Sequence, residues 1–229
     1  MNKLGLNFLD LGDSDKLPRI LIHGMALDQT MWTPQIPVLK EHYRVLTYDI
    51  GGHGLSEVGD AQYTYKMFAD DLKSLMDYLE MDQAVLCGLS MGGAIVLRAY
   101  DMYPHRIKAM ILSDARNEAD SNETKYWREN SIESIKKDGL ENFADEFVGN
   151  IFCQFQFQEA SGSGGVNSKH RLIIFIRGIS QPLSSSQMMH DEIVNSEFKI
   201  IPKAGHMSNL ENLEEFNHNL LEFLGKIEF

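Results

Sequence analysis

Gly88-Leu89-Ser90-Met91-Gly92 lies between the apolar run 84–89 (AVLCGL) and a stretch with helical composition that extends to about Tyr103. The first reads as a short buried strand and the second as a helix. A serine flanked by glycines at such a junction has the pattern of a nucleophile elbow, a strand-to-helix turn too sharp for bulky neighbours. The turn holds the hydroxyl out at the carboxyl end of the strand. It also sets the Met91 N–H at the start of a helix, where it can stabilise an oxyanion. A glycine-rich turn that merely contains a serine is the blander alternative, and the flanking strand and helix weigh against it.

Working outward, residues 19–24 (RILIHG), 43–50 (YRVLTYDI) and 107–113 (IKAMILS) read as further strands. Residues 31–42 can form a helix, and 65–80 place Phe68, Leu72, Leu75, Met76 and Leu79 at helical spacing. Strands alternating with helices imply a mostly parallel sheet with helices on both faces. The alternation lapses over 116–150, which is acidic and helical in composition, and 161–165 (SGSGG) reads as a loop. Residues 171–176 (RLIIFI) and 197–201 (EFKII) read as the last two strands, with a short helix over 184–193. A closing helix over 209–224 is introduced by Ser208-Asn209-Leu210-Glu211, a capping-box pattern, and stops at Gly225. The chain therefore divides into a core, 1–115 and 171–229, and a shortened lid with an irregular segment, 116–170.

The 229 residues carry a formal net charge of −12, and 43% of them are hydrophobic. That length suits one domain with a substantial core. The acidic balance argues against a nucleic-acid surface. The two cysteines make no disulfide framework, and no Cys/His cluster suggests a metal, so no cofactor is expected. The N-terminus shows no signal-peptide pattern and no apolar run approaches a membrane span. The expectation is a cytoplasmic protein that engages neither membrane nor nucleic acid.

Two further stretches carry chemistry. His23-Gly24-Met25 follows the 19–24 strand, and the Met25 backbone N–H there can supply a second oxyanion donor. Gly205-His206 follows the last strand, in the Ser-then-His order a base requires. The other seven histidines fall in helices, Gly-flanked turns or the irregular region.

HGMALDQTMW (23–32), YDIGGHGLS (48–56), GLSMGG (88–93) and AGHMSNLENLEEF (204–216) together resemble the α/β-hydrolase superfamily, and within it carboxylesterases similar to 3-oxoadipate enol-lactonase. The resemblance implies Ser90 as nucleophile, His206 as base, and Met25 and Met91 as oxyanion donors. It implies a small-molecule ester or lactone as substrate. Asp49–Gly54 matches a structural turn of the family, except that Gly51 stands where arginine is usual.

The acid of the triad does not match. The family's aspartate would fall at Gly178, and between Glu146 and Asp191 the only acidic residue is Glu159. Asp114, at the end of the 107–113 strand, is a second candidate acid, with a local capping role as its alternative. A Ser–His dyad is the third reading. Segment 154–181 reads as a local disruption of an ordinary family member. Two functions therefore stand at this point: a serine hydrolase of small esters or lactones, or a degenerate hydrolase fold that binds a ligand or does nothing.

Overall fold

The computed structural model describes residues 3–60, 62–115, 122–139, 142–144, 147, 172–176, 190 and 196–227. Glu159, Gly178 and Pro182 lie outside them, as does most of 154–181.

Seven strands form one sheet in the order β1-β3-β2-β4-β5-β6-β7. They are β1 (Phe8–Leu11), β2 (Pro18–Ile22), β3 (Arg44–Tyr48), β4 (Ala84–Leu89), β5 (Ile107–Ser113), β6 (Leu172–Ile176) and β7 (Ser196–Ile200). All neighbours pair in parallel except β1, an antiparallel edge strand on β3. The sequence reading missed β1: its four residues (FLDL) are half exposed or exposed, too short and too mixed to stand out. The 171–176 run does take the next-to-last place, with Leu172 to Phe175 opposite Met110 to Ser113 on one side and Leu172 to Ile176 opposite Ser196 to Ile200 on the other.

Parallel strands buried on both faces must be apolar in both directions. In β2, Ile20 and Ile22 face one cluster while Leu21 faces the other. The first cluster takes Phe68, Leu72 and Leu75 from α2 (Tyr65–Tyr78) and Ile95, Val96 and Ala99 from α3 (Met91–Met102). The second takes Trp32, Leu39, Phe216, Leu220 and Phe223. β4 lies at the centre and is wholly buried, so the turn that follows it rests on the most rigid part of the molecule.

Two expected helices come out differently. The 31–42 helix is split into a 3-10 turn (Gln29–Trp32) and a short α1 (Ile36–Lys40). Pro34 and Pro37 sit in that stretch, and a proline inside a helix removes an N–H and clashes with the preceding turn. The closing helix is also divided, into α5 (Ser208–Glu211) and α6 (Leu213–Gly225). Asn212 caps α6, its side chain accepting from the Glu215 N–H at 3.4 Å. Ser208 lies inside α5 and caps nothing. Within the acidic region, α4 (Asn122–Asp138) is helical as expected. Among the described residues, no helix is long and apolar enough to cross a membrane.

Candidate active site

Ser90 has φ 54° and ψ −114°. Positive φ crowds the Cβ of any L-residue against its own backbone, so a serine persists there only where the surroundings over-determine it. They do. The Ser90 N–H donates to the Ser113 carbonyl on β5 at 2.8 Å. A Cβ on Gly88 would lie 2.3 Å from the Gly92 carbonyl oxygen, and one on Gly92 2.3 Å from the Ile22 carbonyl oxygen. The glycines are therefore required by close backbone approach. That approach presses the start of α3 against the exit of β2.

The exit of β2 is His23-Gly24-Met25. The His23 ring is buried, and its Nε2 accepts from the Ile50 N–H at 2.9 Å. Nε2 must then be unprotonated, so the proton sits on Nδ1, which donates to the Gly24 carbonyl at 2.7 Å. Burial is the main cause that lowers the His23 pKa to about 4. The ring is a neutral strut between the β2 and β3 exits, and it fixes the loop on which Met25 lies. Its sequence context, a Gly-flanked turn, gave no sign of this. Beside it, Asp49 is buried and accepts from the Gln29 N–H (2.8 Å), Asn7 Nδ2 (2.8 Å) and the Leu55 N–H (2.9 Å), which ties the turn after β3 together.

Asp114 follows β5 directly, with φ 47° and 1% exposure. Aspartate is one of the few residues that tolerate that backbone. Its Oδ2 accepts from Ser208 Oγ at 2.7 Å and, at 3.4 Å, from Ser113 Oγ. Ser208 lies two residues past His206, so this bond brings the His206 loop from the end of β7 back across the sheet to the end of β5. Gln35 and Asn209 pin the same loop from the other side. Gln35 Nε2 donates to the Asn209 carbonyl at 2.9 Å, and Asn209 Nδ2 donates to the Met31 carbonyl at 3.1 Å. His206 itself is half-buried, as are Ser90, Met91 and Met25.

A cavity of about 900 Å³ opens beside these loops. Met25, on the loop after β2, and Met207, on the His206 loop, both line it, and Leu27, Phe143, Phe147 and Leu210 give it an apolar wall. α4 reaches the same place: Arg128 Nη1 lies 3.0 Å from Met25 Sδ. Among the described residues, no group of three or more His, Cys, Asp or Glu is arranged to hold a metal ion.

Comparison with known proteins agrees with this architecture. 3-Oxoadipate enol-lactonase 2 of Acinetobacter baylyi is 24% identical over 247 residues, covering 94% of this chain and 91% of the relative. A solved structure of a thermophilic esterase from Thermogutta terrifontis matches with a TM-score of 0.84 at 27% identity, over 98% of this chain and 94% of that one. The enol-lactonase from Burkholderia xenovorans matches with a TM-score of 0.83 at 21% identity, over 96% of both chains, a likeness of fold. A family model described as the alpha/beta hydrolase fold matches residues 20–188. On that match, which spans most of the chain and contains the Ser90 turn, the protein belongs to the α/β-hydrolase fold family.

Proposed function

We propose that the chain is a serine hydrolase of small carboxylic esters or lactones. The observation that carries this reading is the backbone of Ser90, strained at φ 54° between a buried strand and a helix N-terminus. Strain of that kind is retained where it presents a reacting group. Ser90 Oγ attacks the carbonyl carbon while His206 takes its proton. The Met25 and Met91 N–H groups hold the oxyanion, and each such donor contributes about 3–4 kcal/mol in known hydrolases. His206 then returns the proton to the leaving alcohol, and water, activated by the same imidazole, releases the acid from the acyl-enzyme.

Asp114 is the acid of the triad. Its buried carboxylate is oriented into the His206 loop through Ser208, which a local cap would not need. The cavity takes the apolar part of the substrate, and α4, which reaches Met25 through Arg128, with Phe143, Ala144 and Phe147 serves as the lid over it. Two of the relatives with named activities, an esterase and an enol-lactonase, support the same bond class. Nothing in the comparisons supports a fold emptied of activity.

Turnover of p-nitrophenyl acetate and labelling by a fluorophosphonate test the assignment together. Ser90→Ala abolishes both. Asp114→Asn keeps the labelling site but lowers kcat by about 10³–10⁴-fold, in line with loss of a triad aspartate elsewhere. Undiminished turnover in Ser90→Ala removes the nucleophile; undiminished turnover in Asp114→Asn leaves a dyad.

A further inference from the structure

Ser208 has the sequence context of a helix cap and does not act as one. Its hydroxyl leaves the helix and donates to Asp114 Oδ2 at 2.7 Å. The Ser113 hydroxyl lies 3.1 Å from Ser208 Oγ. All three residues are buried to 1% exposure or less. Since Ser208 spends its proton on the carboxylate, Ser113 is the donor between the two hydroxyls, and its one proton favours Ser208 at 3.1 Å over Asp114 Oδ2 at 3.4 Å. The chain runs Ser113 to Ser208 to Asp114, and each bond polarises the next in a medium of low dielectric. The backbone of the same Ser113 accepts from the Ser90 N–H at 2.8 Å. One strand end thus grips the nucleophile through a carbonyl and the base's loop through two side chains.

We infer that Ser208 is a positioning residue for the hydrolytic reaction, acting through Asp114 to hold the His206 loop in register with Ser90. The inference rests on the hydrolase reading above. Its chemistry is static: no proton leaves Ser208 during turnover. The hydroxyl satisfies one oxygen of a buried carboxylate and fixes the separation between two loops that arise from strands two places apart in the sheet. A misplacement of about 1 Å in such a set can cost about 100-fold in rate.

The test compares Ser208→Ala, Ser113→Ala and the Ser208→Ala/Asp114→Asn pair, each checked by thermal melt. With p-nitrophenyl acetate, Ser208→Ala lowers kcat by about 10–100-fold with KM little changed. Ser113→Ala, which removes only the outer hydroxyl, loses less. The double variant is no slower than Asp114→Asn alone, because a residue that acts through another adds nothing once that partner is gone. Ser208→Thr, which keeps the hydroxyl, recovers part of the rate; if Ser208→Ala does not fold, Thr and Ser113→Ala carry the comparison. Losses that add in the double variant, or an unchanged kcat in Ser208→Ala or Ser113→Ala, overturn the inference while wild-type labelling of Ser90 leaves the hydrolase reading standing. A wild type that is neither labelled nor active overturns both.

Discussion

At the residue scale, the His23 ring has one protonation state compatible with its surroundings. Adding a proton to Nε2 would set two N–H groups, its own and that of Ile50, against each other in a buried site. Burial in the folded chain holds the pKa near 4, below the ordinary value of 6.5. The sign follows from linkage. Below pH 6.5 the unfolded chain binds a proton that the folded chain refuses, so stability is full above that pH and falls as pH drops toward 4. At pH 5 the loss amounts to about 2 kcal/mol, from 1.36 kcal/mol per unit of pKa difference. Urea melts of the wild type at pH 7.5 and 5, set beside His23→Gln, check this: the variant is less stable at pH 7.5 but has a flatter pH dependence. Equal slopes for the two proteins would assign the acid loss to other groups. No pattern in HGM distinguishes a strut from a solvated turn, because the distinction lies in Ile50, a residue just beyond the end of β3.

At the element scale, the two caps near residue 210 separate a local signal from a tertiary one. Ser208-Asn209-Leu210-Glu211 satisfies the capping-box pattern, and Glu211 Oε1 does reach back, accepting from the Met207 N–H at 3.0 Å. The serine half of the box is drawn instead to Asp114, and the long helix starts four residues later under Asn212. Asn212→Ala should cost about 1 kcal/mol, the usual value for a lost N-cap, read as a lower urea midpoint with kcat unchanged. A fall in kcat matching that of Ser208→Ala would mean that helix start and catalytic register are one property. The same contrast explains what the sequence reveals. The strands from β2 to β5 and the Ser90 turn are legible because burial on both faces and a sharp turn leave compositional marks, and β6 and β7 are legible in the runs RLIIFI and EFKII. The proposed triad acid is legible only as one of several candidates, because what singles out Asp114 is a hydroxyl 94 residues away. β1 is not legible, because its place at the edge depends on pairing with β3 and not on its own four residues. The division of 31–42 is legible in Pro34 and Pro37.

At the scale of the whole molecule, the cavity is assembled from four separate regions: the stretch after β2, the turn after β3 (Gly52, His53, Gly54), the His206 loop, and Phe143, Ala144 and Phe147 beyond α4. Phe143 and Phe147 stack with ring centres 5.6 Å apart, and Phe147 also packs against the second core cluster. On the hydrolase reading proposed above, chain-length preference is set jointly by core and lid. Phe147→Ala should lower kcat/KM for p-nitrophenyl hexanoate by about tenfold or more relative to the acetate, since a single methylene in an apolar pocket is already worth about 10–200-fold. The ratio of the two esters is unaffected by how much enzyme is folded, and an unchanged ratio would place the acyl chain elsewhere. One consequence concerns inheritance. A domain's net stability is only about 5–15 kcal/mol, and the backbone of Ser90 holds about 1–2 kcal/mol against it that glycine would release. A copy of this chain relieved of catalysis would gain by exchanging that serine for glycine, so drift at position 90 runs downhill. On the hydrolase reading proposed above, the Ser90 hydroxyl is what sets this position against that drift.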